Sequence, residues 1–279
     1  MNTASLQALG AIALWATLAT LGVALADVPP FLLTGLALLV GSTLALPKVV
    51  RDRNAWRVPG STLALGVYGL FGFHFLLFIA LRHAPAIEAN LVNYLWPLLI
   101  VVLAPLVLPG LALSARHVIA ALIGLAGAAL AILGAREGEG TGFAWGYLAA
   151  AGSAFIWATY SLASKRVRPF PTAAIGLFGL VSGALSLACH ALLEPRSALD
   201  ARALVFIALM GVGPLGAAFY LWDRALKGGD PRTLGVLGYL TPLASTLLLL
   251  VATGRPLTWS VAAAAVLIIG AALVAVLGR

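Results

Sequence analysis

One ten-residue run, Glu88-Ala89-Asn90-Leu91-Val92-Asn93-Tyr94-Leu95-Trp96-Pro97, holds the densest set of groups able to do chemistry in an otherwise apolar sequence. On a helix, Asn90, Asn93, Tyr94 and Pro97 fall on one face at three- and four-residue spacing. Polar side chains deep in an apolar span are costly unless they line a cavity or find partners, so the chemistry suggested is hydrogen-bonded recognition of a small molecule. Pro97 has no amide hydrogen and its ring crowds the carbonyl of Asn93. The helix should kink there and leave that carbonyl to a ligand or a neighbour. Pro242 should do the same to Gly238, which makes Pro97 and Pro242 candidate hinges; the plainer alternative is that both prolines only help helices pack.

Aromatic groups join this set. Trp15 and Trp157 each lie well inside an apolar run, far from the headgroup level where tryptophan usually sits. They either pack against neighbouring helices or lend flat apolar walls to a cavity, together with Tyr94, Trp96, Tyr239 and Tyr160. Trp145, Trp222 and Trp259 fall near run ends and read as interface anchors. His74 could take up a proton, hydrogen-bond a substrate carboxylate or pack as a neutral ring. The candidate binding residues are therefore Trp15, His74, Asn90, Tyr94, Trp96, Trp157 and Tyr239.

No Asp or Glu lies in the middle of an apolar run, which disfavours a carboxylate-based proton antiporter. Glu88 and Asp223 sit near ends with Arg82 and Arg224 as available partners. There is no His-Glu-x-x-His helix, no phosphate-cradling loop with lysine and no serine or cysteine with triad partners. An enzyme, a metal and a cofactor are not expected. The lone Cys189 permits no internal disulfide and reads as inert.

These residues need helices to hold them in a membrane. Of the 279 residues, 62% are hydrophobic and 9% charged, against roughly a quarter charged in a soluble domain. The charge of +8 is dispersed in short loops, so nucleic acid is not the expected partner; the bilayer is. Ala24-Leu25-Ala26 mimics a signal-peptidase site, but no basic residue precedes the long apolar run before it, which reads as a true first span. Apolar runs fall near 5–26, 29–46, 60–81, 86–108, 115–134, 142–163, 171–193, 201–222, 233–253 and 257–278. Continuous Leu/Ala/Val runs lack the alternation of a barrel strand, so the expected class is an all-α integral membrane protein of ten helices.

The second half echoes the first. Ala80-Leu81-Arg82 and Tyr94-Leu95-Trp96-Pro97-Leu98 recur as Ala225-Leu226-Lys227 and Tyr239-Leu240-Thr241-Pro242-Leu243 at a constant offset of 145. Leu14-Trp15-Ala16-Thr17 matches Ile156-Trp157-Ala158-Thr159, and the span ending at Gly134 matches the one ending at Gly278. Two five-helix repeats, 1–136 and 137–279, follow. Five is odd, so the copies should be inverted, with a site near the midplane. With the N-terminus inside, twelve Lys and Arg fall on the inner side against five outside, placing both termini in the cytoplasm.

Over its whole length the chain resembles the drug/metabolite transporter superfamily, specifically its ten-span EamA type. The resemblance rests on the tandem Leu95-Trp96-Pro97-Leu98 and Leu240-Thr241-Pro242-Leu243 helices, each followed by a short turn and a Gly-rich helix, Gly124 to Gly134 and Gly270 to Gly278. The run from Asn93 to Pro97 is similar to the aromatic amino-acid exporter branch. Family turns often carry a Gly-Glu pair where this chain has Pro109-Gly110-Leu111 and Thr253-Gly254-Arg255-Pro256, so no role is carried over for that acid. The resemblance implies an inner-membrane secondary exporter that moves aromatic and other neutral amino acids by alternating access and functions as a monomer. Nucleotide sugars, drug-like cations and a non-transport membrane scaffold are the alternatives; the first would need cationic groups in the cavity, and no Lys or Arg sits mid-span. The scaffold should tolerate Trp96→Ala, whereas an exporter should lose transport and keep its fold.

Overall fold

The computed structural model describes residues 2–84, 86–133, 145–254 and 258–277, and among them every regular element is a helix. A helix satisfies its backbone polar groups within one segment, which a chain this apolar requires. The helices are α1 (Thr3–Ala24), α2 (Pro30–Arg51), α3 (Gly60–His83), α4 (Ala89–Val107), α5 (Ala115–Leu133), α6 (Gly146–Ala163), α7 (Ala174–Leu193), α8 (Ala201–Gly228), α9 (Pro231–Ala252) and α10 (Trp259–Leu277). Among the described residues, eight helices are long and apolar enough to cross a membrane, and α5 contains a shorter apolar stretch, Ala115–Leu130. In α6 the residues Ser153, Tyr160 and Ser161 temper the hydropathy. Arg136, Arg255, Arg279, Gly134, Gly278, the boundary at 136–137 and the side chain of Glu88 lie outside the described residues.

Local chemistry starts several helices. Asn2 and Asp200 accept backbone N–H groups of the first turns of α1 and α8, and Pro30 and Pro231 open α2 and α9 where no amide donor is needed. Asp230 caps α9 and pairs with Arg232 at 2.6 Å. Burial alone would raise its carboxyl, but the Arg232 hydrogen bonds outweigh that and hold it below the usual carboxylate range.

Four of the interruptions within these helices fall in repeat-related pairs. α4 breaks at Tyr94–Leu95 and α9 at Tyr239, just ahead of Pro97 and Pro242. α3 and α8 carry π-helical turns at Tyr68–Gly72 and Gly213–Ala217, separated by the same offset of 145 that links the sequence repeats. A π turn inserts one residue and rotates everything beyond it relative to an ideal helix.

The packing pairs come in matched sets. α2 lies along α7 and α5 along α10; α1 packs on α8 and α9, while α6 packs on α3 and α4. Small residues allow the closest approaches: a Cβ on Gly41 would stand 2.7 Å from the Leu215 carbonyl, and one on Gly211 2.6 Å from the Ala37 carbonyl.

Two polar clusters tie helix ends. The fully buried Glu194 carboxylate accepts the N–H groups of Phe31 (3.0 Å) and Leu32 (3.2 Å), and pairs with Arg82 (2.8 Å) and His190 (2.9 Å). Asp223 accepts from Lys227 and from the Thr172 hydroxyl, both at 2.6 Å. Arg82 thus reaches Glu194 at the end of α7, and Asp223, for which Arg224 was an available partner from sequence, takes Lys227 one turn on and Thr172 instead. α8 also runs to Gly228, past the expected end at 222, because its last turn carries Lys227 and is held by the Asp223 cluster. That extension corrects Trp222, which is 1% exposed inside the bundle. Trp145 and Trp259 are exposed at their helix ends as expected.

Candidate transport cavity

Between α1, α2, α3, α4, α6, α8 and α9 lies a cavity of about 470 Å³, a size that suits a small organic ligand. Six of the seven sequence candidates line it: Trp15, His74, Asn90, Tyr94, Trp96 and Trp157. Tyr239 does not. It is fully buried in a separate core where its ring fits against Gly124 of α5. Pro97 and Pro242 stand behind the wall at the starts of the second halves of α4 and α9. Tyr160 packs on Trp157 at 5.5 Å and fills the space left by Gly69, outside the lining.

The centre of the bundle is an aromatic cluster. Trp15 meets Trp222 at 5.3 Å, Trp157 at 5.7 Å and Trp96 at 6.4 Å between ring centroids. Trp157 also meets Phe73 at 5.4 Å and Phe219 at 5.7 Å. Edge-to-face and tilted contacts at these separations hold large rings in fixed orientations. Trp222 donates from Nε1 to the Ser161 hydroxyl at 3.2 Å, which satisfies its only polar atom inside the core.

Polar groups sit along one stretch of this wall. His74 Nδ1 lies 2.6 Å from the Leu70 carbonyl, within the π turn of α3. A carbonyl only accepts, so Nδ1 carries the proton and Nε2 of the neutral ring is an acceptor. In that state the ring cannot donate to a carboxylate, one of the roles considered from sequence. Asn93 also lines the cavity, and its Oδ1 accepts from the Ser153 hydroxyl at 3.1 Å. Among the described residues, the lining contains no Lys, Arg, Asp or Glu.

Several lining residues were not singled out from sequence: Thr34, Phe73, Phe78, Phe219, Thr241 and Ser245. Phe219 is legible in hindsight as the repeat partner of His74 at offset 145, and Thr241 as that of Trp96.

Comparison with known proteins agrees with this architecture. The EamA-like transporter family matches residues 2–133 and again 144–277. A protein of Ancylobacter novellus called aromatic amino acid exporter YddG is 44% identical, covering 99% of this chain and 98% of its own length. Proteins of the same name from Salmonella typhimurium and Escherichia coli are 32% and 30% identical, over 92% and 97% of this chain and 91% and 95% of theirs. A crystal structure 46% identical superposes with a TM-score of 0.92, covering 98% of this chain and 96% of that one. The chain is a multi-pass membrane protein of the EamA-like transporter family, a family of transporters and not of enzymes.

Proposed function

We propose that this chain exports aromatic and other neutral amino acids from the cytoplasm across the inner membrane, working as a monomer by alternating access. The observation that carries the reading is the cavity itself: an aromatic wall of Trp15, Trp157 and Phe219 beside a neutral polar stretch of His74, Asn90, Asn93 and Tyr94. Such a wall receives an apolar side chain, while amides and an imidazole hold a zwitterion without a net charge of their own. The names of three relatives, all aromatic amino acid exporters, support the same substrate class. A nucleotide sugar is disfavoured, because no Lys or Arg is among the described lining residues to compensate its phosphates.

The ten helices are read as spans in two inverted repeats, 1–136 and 137–279, with both termini cytoplasmic. Support comes from the paired breaks in α4 and α9, the paired π turns at one offset and the matched packing sets. The cavity runs from the Trp15–Trp96 level to Gly22, Leu81 and Asn90, residues near the ends that the charge count places outside. On the other side Trp222, Leu162 and Leu226 are fully buried. This is a conformation open outward and sealed inward, with the breaks beside Pro97 and Pro242 as hinges.

Purified protein in liposomes loaded with labelled tryptophan, phenylalanine, threonine or methionine tests the substrate assignment. Tryptophan and phenylalanine are expected to leave severalfold faster than from protein-free vesicles. If all four leak at the protein-free rate, the assignment fails.

A further inference from the structure

Ser153 is fully buried on α6, outside the cavity lining, yet its hydroxyl reaches two acceptors on two other helices. One is the Asn93 side-chain carbonyl oxygen of α4 and the other the Phe73 main-chain carbonyl of α3, each at 3.1 Å. Asn93 stands at the break in α4 and Phe73 follows directly on the π turn of α3. Ser153 has a single hydroxyl hydrogen, which serves one of these acceptors at a time or is shared between them; where it is given to Oδ1, the remaining polar group of the Asn93 side chain is Nδ2, a double N–H donor.

The repeat shows that helix packing does not require this pair. The offset of 145 takes Asn93 to Gly238, and the match of Trp157 with Trp15 takes Ser153 to Ala11. At the equivalent positions α1 and α9 therefore carry a fully buried Ala11 and a glycine packed under Trp96, neither a hydroxyl nor an amide. The equivalent helices pack on each other without this pair. The hydroxyl–amide pair is present on the one crossing whose amide lines the cavity.

The same element presents the complementary group. His74, next in sequence to Phe73, has Nδ1–H committed to Leu70 and so offers Nε2 as an acceptor. One wall then holds two N–H donors and one acceptor, which matches the carboxylate and ammonium ends of an α-amino acid.

Resting on the export reading above, we infer that Asn93 is the carboxylate-recognising donor of the cavity and that Ser153 is its positioning residue, turning the amide so that Nδ2 faces the substrate. Removing the hydroxyl lets the amide rotate by half a turn and replace donors with an acceptor. The consequence falls on ligands with a carboxylate and spares those without one.

The test measures phenylalanine transport by protein in liposomes, with phenylalaninol, which lacks the carboxylate, as competing ligand. Ser153→Ala is expected to raise KM for phenylalanine about tenfold, the size of one hydrogen bond to a charged group, with kcat and the inhibition constant of phenylalaninol within about twofold of wild type. Asn93→Asp keeps the oxygen that Ser153 holds and turns a second, negative oxygen to the cavity. It is expected to weaken phenylalanine more than phenylalaninol, and melting curves for both variants check that they are folded. Equal weakening of the two ligands, no change in either, or selective loss of phenylalaninol in folded Ser153→Ala protein overturns the inference, the last because it means that the amide faces the other way. If wild-type protein moves no phenylalanine at all, the export reading fails instead.

Discussion

Trp96→Ala is expected to bring phenylalanine efflux down to the rate of protein-free vesicles and to lower the melting temperature as well. The ring has two duties. It lines the cavity, and its far edge lies on Gly238 at the break in α9 while the ring makes edge-to-face contacts with Trp222 at 5.7 Å and Trp15 at 6.4 Å. Truncation opens a void between the two broken helices, which costs about 3–5 kcal/mol for a buried tryptophan. Sequence alone led to an expectation of lost transport with the fold intact; at 5% exposure the stability loss is added. Efflux measured well below the variant's own melting temperature separates the two effects. Normal efflux there would remove Trp96 from the site.

Gly211→Val is expected to prevent accumulation of folded protein. Gly211 sits two residues ahead of the π segment of α8, and a Cβ there meets the Ala37 carbonyl at 2.6 Å and Val40 Cβ at 2.7 Å. Those atoms belong to α2, whose own Gly41 lies against the Gly211 and Leu215 carbonyls. Backbone cannot step aside as a flexible side chain can, so α2 and α8 must separate along their length. Gly270→Val is the control: a Cβ at that position meets nothing within 4 Å, and its stability should change by less than about 1 kcal/mol. Size-exclusion profiles of the two detergent-solubilised variants decide the comparison. A monodisperse, normally abundant Gly211→Val protein would contradict the close packing.

The features most legible in the sequence were those set by local chemistry. Pro97 and Pro242 announced the breaks in α4 and α9, and the spacing of Asn90, Asn93 and Tyr94 announced a polar face that does line the cavity. The repeat also predicted where features would pair, and the π turns at Tyr68–Gly72 and Gly213–Ala217 obey it. Nothing in composition signals a π turn, however. A constant rotation of about 100° per residue cannot place Phe73, His74 and Phe78 on the correct face beyond one.

Tyr239 illustrates a different limit. It repeats Tyr94, and a symmetric sequence invites a symmetric assignment. The cavity occupies one side of the bundle centre only, so equivalent residues meet unlike surroundings: Tyr94 borders open space while Tyr239 is closed against Gly124. Trp222 fails for a related reason. Its place in a run gave it the look of an interface anchor, but the cluster of Asp223, Lys227 and Thr172 extends α8 and carries the ring into the aromatic cluster.

The central claim, that substrate occupies this cavity, is tested most directly by protection of a single cysteine. Ala19 lines the cavity and is exposed there, and Cys189, the only native cysteine, can be replaced by serine. A charged thiol reagent added outside should label Ala19→Cys, and saturating phenylalanine should slow that labelling severalfold while leaving an Arg196→Cys control in the outer loop unchanged. Labelling of Ala19→Cys at the same rate with and without phenylalanine, in protein that still transports it, would contradict the account.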